Sequence, residues 1–180
     1  LLKRYANRPY SNDIITVEGK LNISFSPSMK FFMPLFRLFK VLVPYQGKNI
    51  PVTVNFRSKP NSTHIDFERT FYFPGKKPYQ FKSYLQPIKA DNVVEFVCLG
   101  IGWRMKFNYI DDKVVMQHNG YVLNFFGKLI PLPLEFFLGE IYAEEKATSN
   151  NSFHMLMKIT HPLFATFFEY SGDFAIVSPP

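Results

Sequence analysis

The segment THIDFERTFYF, residues Thr63–Phe73, alternates between apolar and polar side chains with one exception. Such alternation is typical of a β-strand that buries one face. Phe67 and Phe71 belong to the apolar face, and Arg69 falls between them on the same face. A guanidinium in a protein interior is costly unless an anion or several acceptors meet it. The segment therefore predicts a strand that carries a charge into an apolar interior, and a polar partner for that charge.

Similar segments fill most of the remaining chain. Ile14–Phe25 alternates in the manner of an antiparallel strand with one buried and one solvated face. The other predicted strands are Ile50–Arg57, Tyr79–Ile88, Val93–Ile110 with a bulge or corner at Gly100 and Gly102, Val114–Phe125, Phe153–Ile159 and Phe164–Val177. Gly127–Pro133 is interpreted as a proline-rich crossing, and Leu134–Ala147 as either a helix or a further strand. Short turns join these segments, which predicts a mainly β (β-rich α+β) fold: a strongly curved antiparallel meander or barrel-like sheet of eight or nine strands.

One stretch departs from the strand pattern. Ser26 and Pro27 form a helix start, and residues 27–43 are almost wholly apolar, with Pro34 as a kink. The charges of this stretch, Lys30, Arg37 and Lys40, lie on one side at helical spacing. Two interpretations stay open: a core or lid helix whose cations reach out to water, or a helix lying in a membrane interface. The first is favoured, because amphipathic helices mostly bury their apolar face in their own domain.

Length and composition bound the remaining possibilities. The 180 residues fit a single domain, 1–180, with an N-terminal arm at 1–12 and a C-terminal tail at 178–180. Lys and Arg outnumber Asp and Glu by 21 to 14, which favours anionic partners, but their scatter argues against nucleic acid. There is no apolar run of the roughly 20 residues that span a membrane, and no signal peptide is visible. The expected location is therefore cytoplasmic, with membrane association only if helix 27–43 lies on a membrane surface; residues upstream of Leu1 are possible.

No catalytic, metal or nucleotide-binding motif stands out, so neither a cofactor nor a metal is predicted. The four histidines lack metal-ligand spacing. The candidate ligand-binding residues are polar residues that fall on the apolar face of a strand, one histidine, and aromatic residues of the expected cavity wall. They are Arg69, Glu95, Ser83, His118, Trp103 and Phe71. In one interpretation Arg69 and Glu95 anchor a carboxylate or phosphate at the bottom of an apolar pocket. In the other, which is favoured, they form a structural ion pair that fixes strand register. The acids Glu140, Glu144 and Glu145 are expected to be solvated.

Several short motifs occur in an order typical of a known family. They are Gly127–Pro133 (GKLIPLP), Phe153–Met155 (FHM), Ile159–Leu163 (ITHPL) and Tyr170–Gly172 (YSG), preceded by Arg69–Phe71 (RTF), Phe81–Ser83 (FKS), Val94–Glu95 and Gly19. The set, from about Val17 to Ala175, resembles domain-of-unknown-function family 4166, a bacterial family. The resemblance implies no agreed activity. Members that stand alone or are fused behind a nucleotide-binding dehydrogenase-like domain suggest a small-molecule role, by analogy alone.

Three functions are consistent with these observations. The favoured one is a non-enzymatic carrier or sensor of a small apolar or anionic, lipid-like molecule, held in a cavity of the curved sheet. The second is an enzyme or accessory domain of a nucleotide-dependent oxidoreductase, in which Arg69 and Glu95, with or without His118, polarise a carbonyl or move a proton. The third is a peripheral membrane protein that uses helix 27–43.

Overall fold

The computed structural model describes residues 7–29, 32–34, 36, 42–89 and 91–178. These residues form eleven strands: β1 (Ile14–Phe25), β2 (Gly47–Lys59), β3 (Ser62–Phe71), β4 (Tyr79–Lys89), β5 (Asn92–Cys98), β6 (Ile101–Ile110), β7 (Lys113–Phe125), β8 (Lys128–Leu132), β9 (Glu140–Ala147), β10 (Ser152–His161) and β11 (Ala165–Ser178). A short helix, Glu135–Leu138, precedes β9. The predicted fold class is confirmed, and the strand count is slightly higher than the expected eight or nine.

Ten of the strands close into an antiparallel barrel. Strands β1 to β7 pair in sequence order, β7 also pairs with β9, and β10 and β11 lead back to β1. Strand β8 stays outside this ring and pairs with the last part of β7. Closure leaves no free edge among the ten strands and encloses their inward-facing side chains.

Three segments differ in detail from the sequence-based expectation. The predicted strand Val93–Ile110 is divided into β5 and β6 by a tight turn, where Leu99 and Gly100 both have positive φ. The predicted crossing Gly127–Pro133 contains β8, and its Pro131 is tolerated because β8 pairs on one side only. The segment Leu134–Ala147 is neither all helix nor all strand, because the short helix ends at Gly139 and β9 follows at once.

One end of the barrel carries the segment that links β1 to β2. Residues 30, 31, 35 and 37–41 lie outside the described residues, and with them the predicted cations Lys30, Arg37 and Lys40. Of the described positions, Met29, Met33 and Phe36 are helical and buried, and they pack in one core cluster with Phe167 and Phe168. These three described side chains therefore pack in the protein core. Among the described residues no helix has the length and apolar character needed to cross a membrane.

Part of the predicted N-terminal arm is tied to the barrel at its other end. The Asn7 side-chain amide donates to the carbonyl oxygen of Phe56 over 3.0 Å, and Tyr10 N donates to Ser62 O. The Arg8 guanidinium hydrogen-bonds Asp13 at 2.9 Å, which holds the pKa of that carboxyl well below its usual range. Residues 1–6 of the arm and 179–180 of the predicted tail lie outside the described residues.

Candidate ligand site in the barrel interior

The barrel encloses an apolar main cavity of about 170 Å³. Its wall is built mainly from aromatic and methionine side chains, among them Phe67, Phe71, Trp103 and Met155. A single water needs only about 10–15 Å³, and a dry apolar cavity of about 150 Å³ in another protein binds benzene. The space is thus much larger than a few waters and has the size and lining of a small-ligand site.

Arg69, Ser83 and Glu95 form one hydrogen-bonded network at this cavity. Arg69 Nη2 donates to Ser83 Oγ over 2.7 Å and to Glu95 Oε1, and Ser83 Oγ donates to Glu95 Oε1 over 2.7 Å. All three side chains are buried. The residues come from the adjacent strands β3, β4 and β5, with Phe67 opposite Ser83 and Leu85 opposite Glu95. The network therefore spans three strands and holds their register, as the structural interpretation of the pair expects.

Two aromatic rings enclose the Arg69 guanidinium. Its Cζ lies 3.9 Å from the centre of the Phe67 ring and 4.1 Å from that of Phe81. Phe67 precedes Arg69 by two residues on β3, and Phe81 is its direct partner on β4. Cation–π contacts of this kind are worth about 2 kcal/mol when the cation is desolvated. The rings and Glu95 together explain how a charge is accommodated inside an apolar barrel.

Two buried donors in the cavity wall remain without an acceptor among the described residues. They are Arg69 Nε and Trp103 Nε1, on side chains that are each 8% exposed. An unsatisfied buried donor costs about 1–3 kcal/mol. Both residues line the main cavity, so an acceptor placed inside that cavity is the simplest way to satisfy them.

Three further polar residues, Asn7, Glu145 and Tyr170, line the same cavity and were not singled out as site residues from the sequence. Glu145 is only 1% exposed, so the expectation that this acid is solvated is wrong. Tyr170 is also buried, and burial raises the pKa of its hydroxyl, opposed by the Arg69 charge and by hydrogen bonding with the Arg69 side chain. The alternation of Ile141, Ala143 and Glu145 would have placed Glu145 inward, had Leu134–Ala147 not been ambiguous between helix and strand.

His118 belongs to a second polar cluster. It lies opposite Met105 in the β6–β7 register, but it is not among the residues that line the main cavity. Its Nε2 lies 3.5 Å from Glu135 Oε1, and its ring centre is 4.9 Å from that of Tyr121. Burial lowers the pKa of His118, and the Glu135 carboxylate opposes this shift. The structure thus separates His118 from Arg69 and Glu95.

Two smaller cavities adjoin the main one. The first, of about 70 Å³, lies towards the barrel end that carries the β1–β2 linking segment, and is called the end cavity below. Phe36 and Leu138 line it, and it shares Trp103 and Ile141 with the main cavity. The other, of about 20 Å³, shares Arg69 with the main cavity. The hollow interior therefore extends from the Arg69 network towards that end of the barrel.

Of the six residues proposed from the sequence, Arg69, Glu95, Trp103 and Phe71 line the main cavity. Ser83 connects the two charged residues, and His118 lies in the other cluster. Contact of any of them with a ligand remains a prediction. Among the described residues no group of three or more His, Cys, Asp or Glu side chains is placed to hold a metal ion.

Comparison with known proteins identifies a family but no activity. The sequence model of a family described as "Domain of unknown function (DUF4166)" matches residues 1–174. An uncharacterized protein of Bacillus subtilis (strain 168), YndH, is 24% identical over 155 residues, which cover 81% of this chain and 74% of that protein. Neither match carries an activity, so the function has to be argued from the cavity.

Proposed function

The chain belongs to the DUF4166 family, and we propose that it binds a small, largely apolar molecule inside the barrel, as a carrier or sensor. The observation that supports this most is the pair of buried, unsatisfied donors, Arg69 Nε and Trp103 Nε1, in the wall of an apolar cavity. Apolar pockets with a few convergent polar groups are the usual form of small-molecule sites.

The polar end of the ligand is inferred from the charge balance at Arg69. Glu95 already neutralises this guanidinium, and Glu145 lines the same cavity. A carboxylate or phosphate entering here would have to displace Glu95 or share Arg69 with it, and desolvating an unpaired anion is expensive. A neutral acceptor, such as a ketone, ester or ether oxygen, meets the two free donors without that cost. We therefore favour a neutral ligand over the anionic one that the sequence suggested.

The alternative of an enzyme or oxidoreductase accessory domain has less support. It would use Arg69 and Glu95, with or without His118, and His118 contacts Glu135 and Tyr121 instead. The remaining pair, Arg69 and Glu95, is engaged in a closed network with Ser83. A bound molecule held by two donors requires none of these groups to transfer a proton.

The proposal is tested with 2-octanone and octanoate as probes of equal chain length. Native mass spectrometry and thermal unfolding should show binding of 2-octanone in preference to octanoate. Ala143→Leu places three more carbons in the cavity wall and should abolish binding, because Ala143 is buried and lines the main cavity. Ala175→Leu is the matched control, since Ala175 is exposed on β11 and the same change should leave binding intact.

A second variant addresses the polar contact. Trp103→Phe keeps most of the ring and removes the Nε1 donor, so it should weaken 2-octanone binding by roughly tenfold, the value of one hydrogen bond of about 1 kcal/mol or slightly more. If octanoate binds more tightly than 2-octanone, the inference of a neutral ligand is wrong and the ligand is anionic. If 2-octanone binds equally well to the Ala143→Leu and Ala175→Leu proteins, its binding site is not inside the barrel.

A further inference from the structure

The turn tips at one end of the barrel are apolar. This end carries the β5–β6, β7–β8 and β10–β11 turns and the short helix, and it is the end where β1 finishes and β2 begins. Exposed apolar side chains at these four places form what we call the apolar rim: Leu99, Phe125, Phe126, Phe136, Phe137, Leu163 and Phe164. The most exposed of them, Phe126, is 92% accessible. The opposite end also exposes apolar side chains, among them Tyr109 and Ile110, but every exposed phenylalanine among the described residues lies in the rim. A contiguous group of exposed apolar side chains usually marks an interaction surface.

Direct contacts hold parts of this rim together. Asn124 N donates to Gly100 O over 2.8 Å, which places the Phe125–Phe126 tip beside the Leu99 tip. The His161 ring lies 4.8 Å from Phe164 and 6.3 Å from Phe136, measured between ring centres. The rim thus consists of two groups of apolar tips at the same end of the barrel.

Exposed lysines occupy the same end. They are Lys48 at the start of β2, Lys76 and Lys77 in the β3–β4 turn, and Lys128 next to the Phe125–Phe126 tip. None of the four forms an ion pair with a described residue, and the acids nearest this end are Glu135, Glu140 and Glu169, which pairs with Ser24 at the end of β1. Apolar tips are therefore combined with an excess of positive charge.

We propose that the apolar rim docks the protein on an anionic membrane surface. Separate, protruding aromatic and leucine tips insert readily among lipid headgroups, where aromatic side chains are favoured. A lysine close to an anionic bilayer surface strengthens membrane binding by roughly fivefold. The excess positive charge complements that surface and disfavours a second copy of the same basic end. The partly buried Phe32 of the linking segment packs against Phe36 and Phe167, and its ring centre lies 6.4 Å from that of the rim residue Phe164.

Docking in this orientation directs the end cavity towards the lipid. Phe36 and Leu138 line that cavity, which adjoins the main one at Trp103 and Ile141. A ligand of low water solubility could then pass between bilayer and barrel without crossing water. The docking surface itself does not depend on the ligand, since it is argued from side chains that do not line the main cavity.

The test is flotation with vesicles of phosphatidylcholine alone and with 30% phosphatidylglycerol, a composition chosen to be moderately anionic. The wild-type protein should float with the anionic vesicles, less so with neutral ones and less at high salt. The double variant Phe126→Ser/Phe137→Ser should lose binding by roughly a hundredfold or more, because two phenylalanine rings no longer enter the bilayer interface. Thermal unfolding of this variant should be unchanged, because both side chains are exposed.

The matched control is Tyr109→Ser/Ile110→Ser at the opposite end of the barrel, where both side chains are also exposed. This variant should bind vesicles as the wild type does. Absence of wild-type binding to anionic vesicles, or equal loss in both double variants, would overturn the proposal. A wild-type dimer that Phe126→Ser/Phe137→Ser converts to monomer, measured by light scattering, would assign the rim to a second copy instead. None of these results bears on 2-octanone binding, so the two proposals fail separately.

Discussion

The barrel contains two polar clusters that differ in how far the partner carboxylate is exposed to solvent. At Arg69 a guanidinium, a hydroxyl and a carboxylate are buried together, and two rings cover the cation. At His118 an imidazole whose side chain is 12% exposed faces Glu135, whose side chain is 39% exposed, over 3.5 Å. The first cluster joins three neighbouring strands, whereas the second joins β7 to the short helix.

The difference is one of solvent access. Removing a partner from a buried charge leaves the remaining charge without water, whereas an exposed partner is replaced by solvent at little cost. The Arg69 network should therefore dominate stability, and the His118 cluster should mainly add a pH dependence. Changes at the two clusters can be ranked on this basis.

The largest effect is expected for Glu95→Ala. This change leaves the buried Arg69 guanidinium without its anion and should lower the free energy of unfolding by about 3–5 kcal/mol, measured by denaturant titration. The double variant Arg69→Met/Glu95→Leu removes both charges and should be much closer to the wild type, because an apolar replacement of a buried pair is often neutral or stabilising. A double variant as unstable as Glu95→Ala would show that packing at these positions, and not the unpaired charge, causes the loss.

A smaller effect is expected for Ser83→Ala. Arg69 and Glu95 still contact each other in this variant, and only the hydroxyl that accepts from one and donates to the other is lost. The free energy of unfolding should fall by about 1–3 kcal/mol in the same denaturant titration. A loss as large as that of Glu95→Ala would mean that the hydroxyl, and not the ion pair, holds the three strands together.

The smallest effect is expected at His118, and it should depend on pH. Burial lowers the pKa of His118 below its ordinary value of 6.5, so the unfolded chain takes up this proton at a higher pH than the folded protein does. The stability contributed by the neutral ring is present above pH 6.5 and is lost as the pH falls below it. The stability difference between wild type and His118→Asn should therefore shrink from pH 7.5 to pH 5. A difference that grows on acidification would show that pairing with Glu135 outweighs burial.

Much of the Arg69 site was predictable. The alternation in Thr63–Phe73 placed Arg69 on the inner face of the sheet, and the structure shows its side chain in the cavity wall. The phases of the next two strands placed Ser83 and Glu95 on the same side, and both are bonded to Arg69. This succeeded because β-strand phase has a period of two, so a single apolar neighbour is enough to assign a face.

Other parts of the site were not predictable in the same way. Glu145 looked solvated because Leu134–Ala147 fits two periods, and only the hydrogen bonds that pair β9 with β7 and β10 resolve the choice. His118 is in phase with inward residues, but the short helix and Tyr121 place it in a separate cluster. The apolar rim was missed because its residues are far apart in sequence, and the turns that carry them are brought together by barrel closure.

The sequence by itself determined the strand faces, the curved antiparallel sheet and the charged residue in its interior, because these depend on local alternation and short turns. Only the tertiary structure decided that ten strands close into a barrel, that Arg69 is already neutralised, and that a cavity remains beside it. Closure, charge balance and empty volume are properties of residues distant in the chain. They are fixed by pairing and packing across the barrel, and no local pattern encodes them.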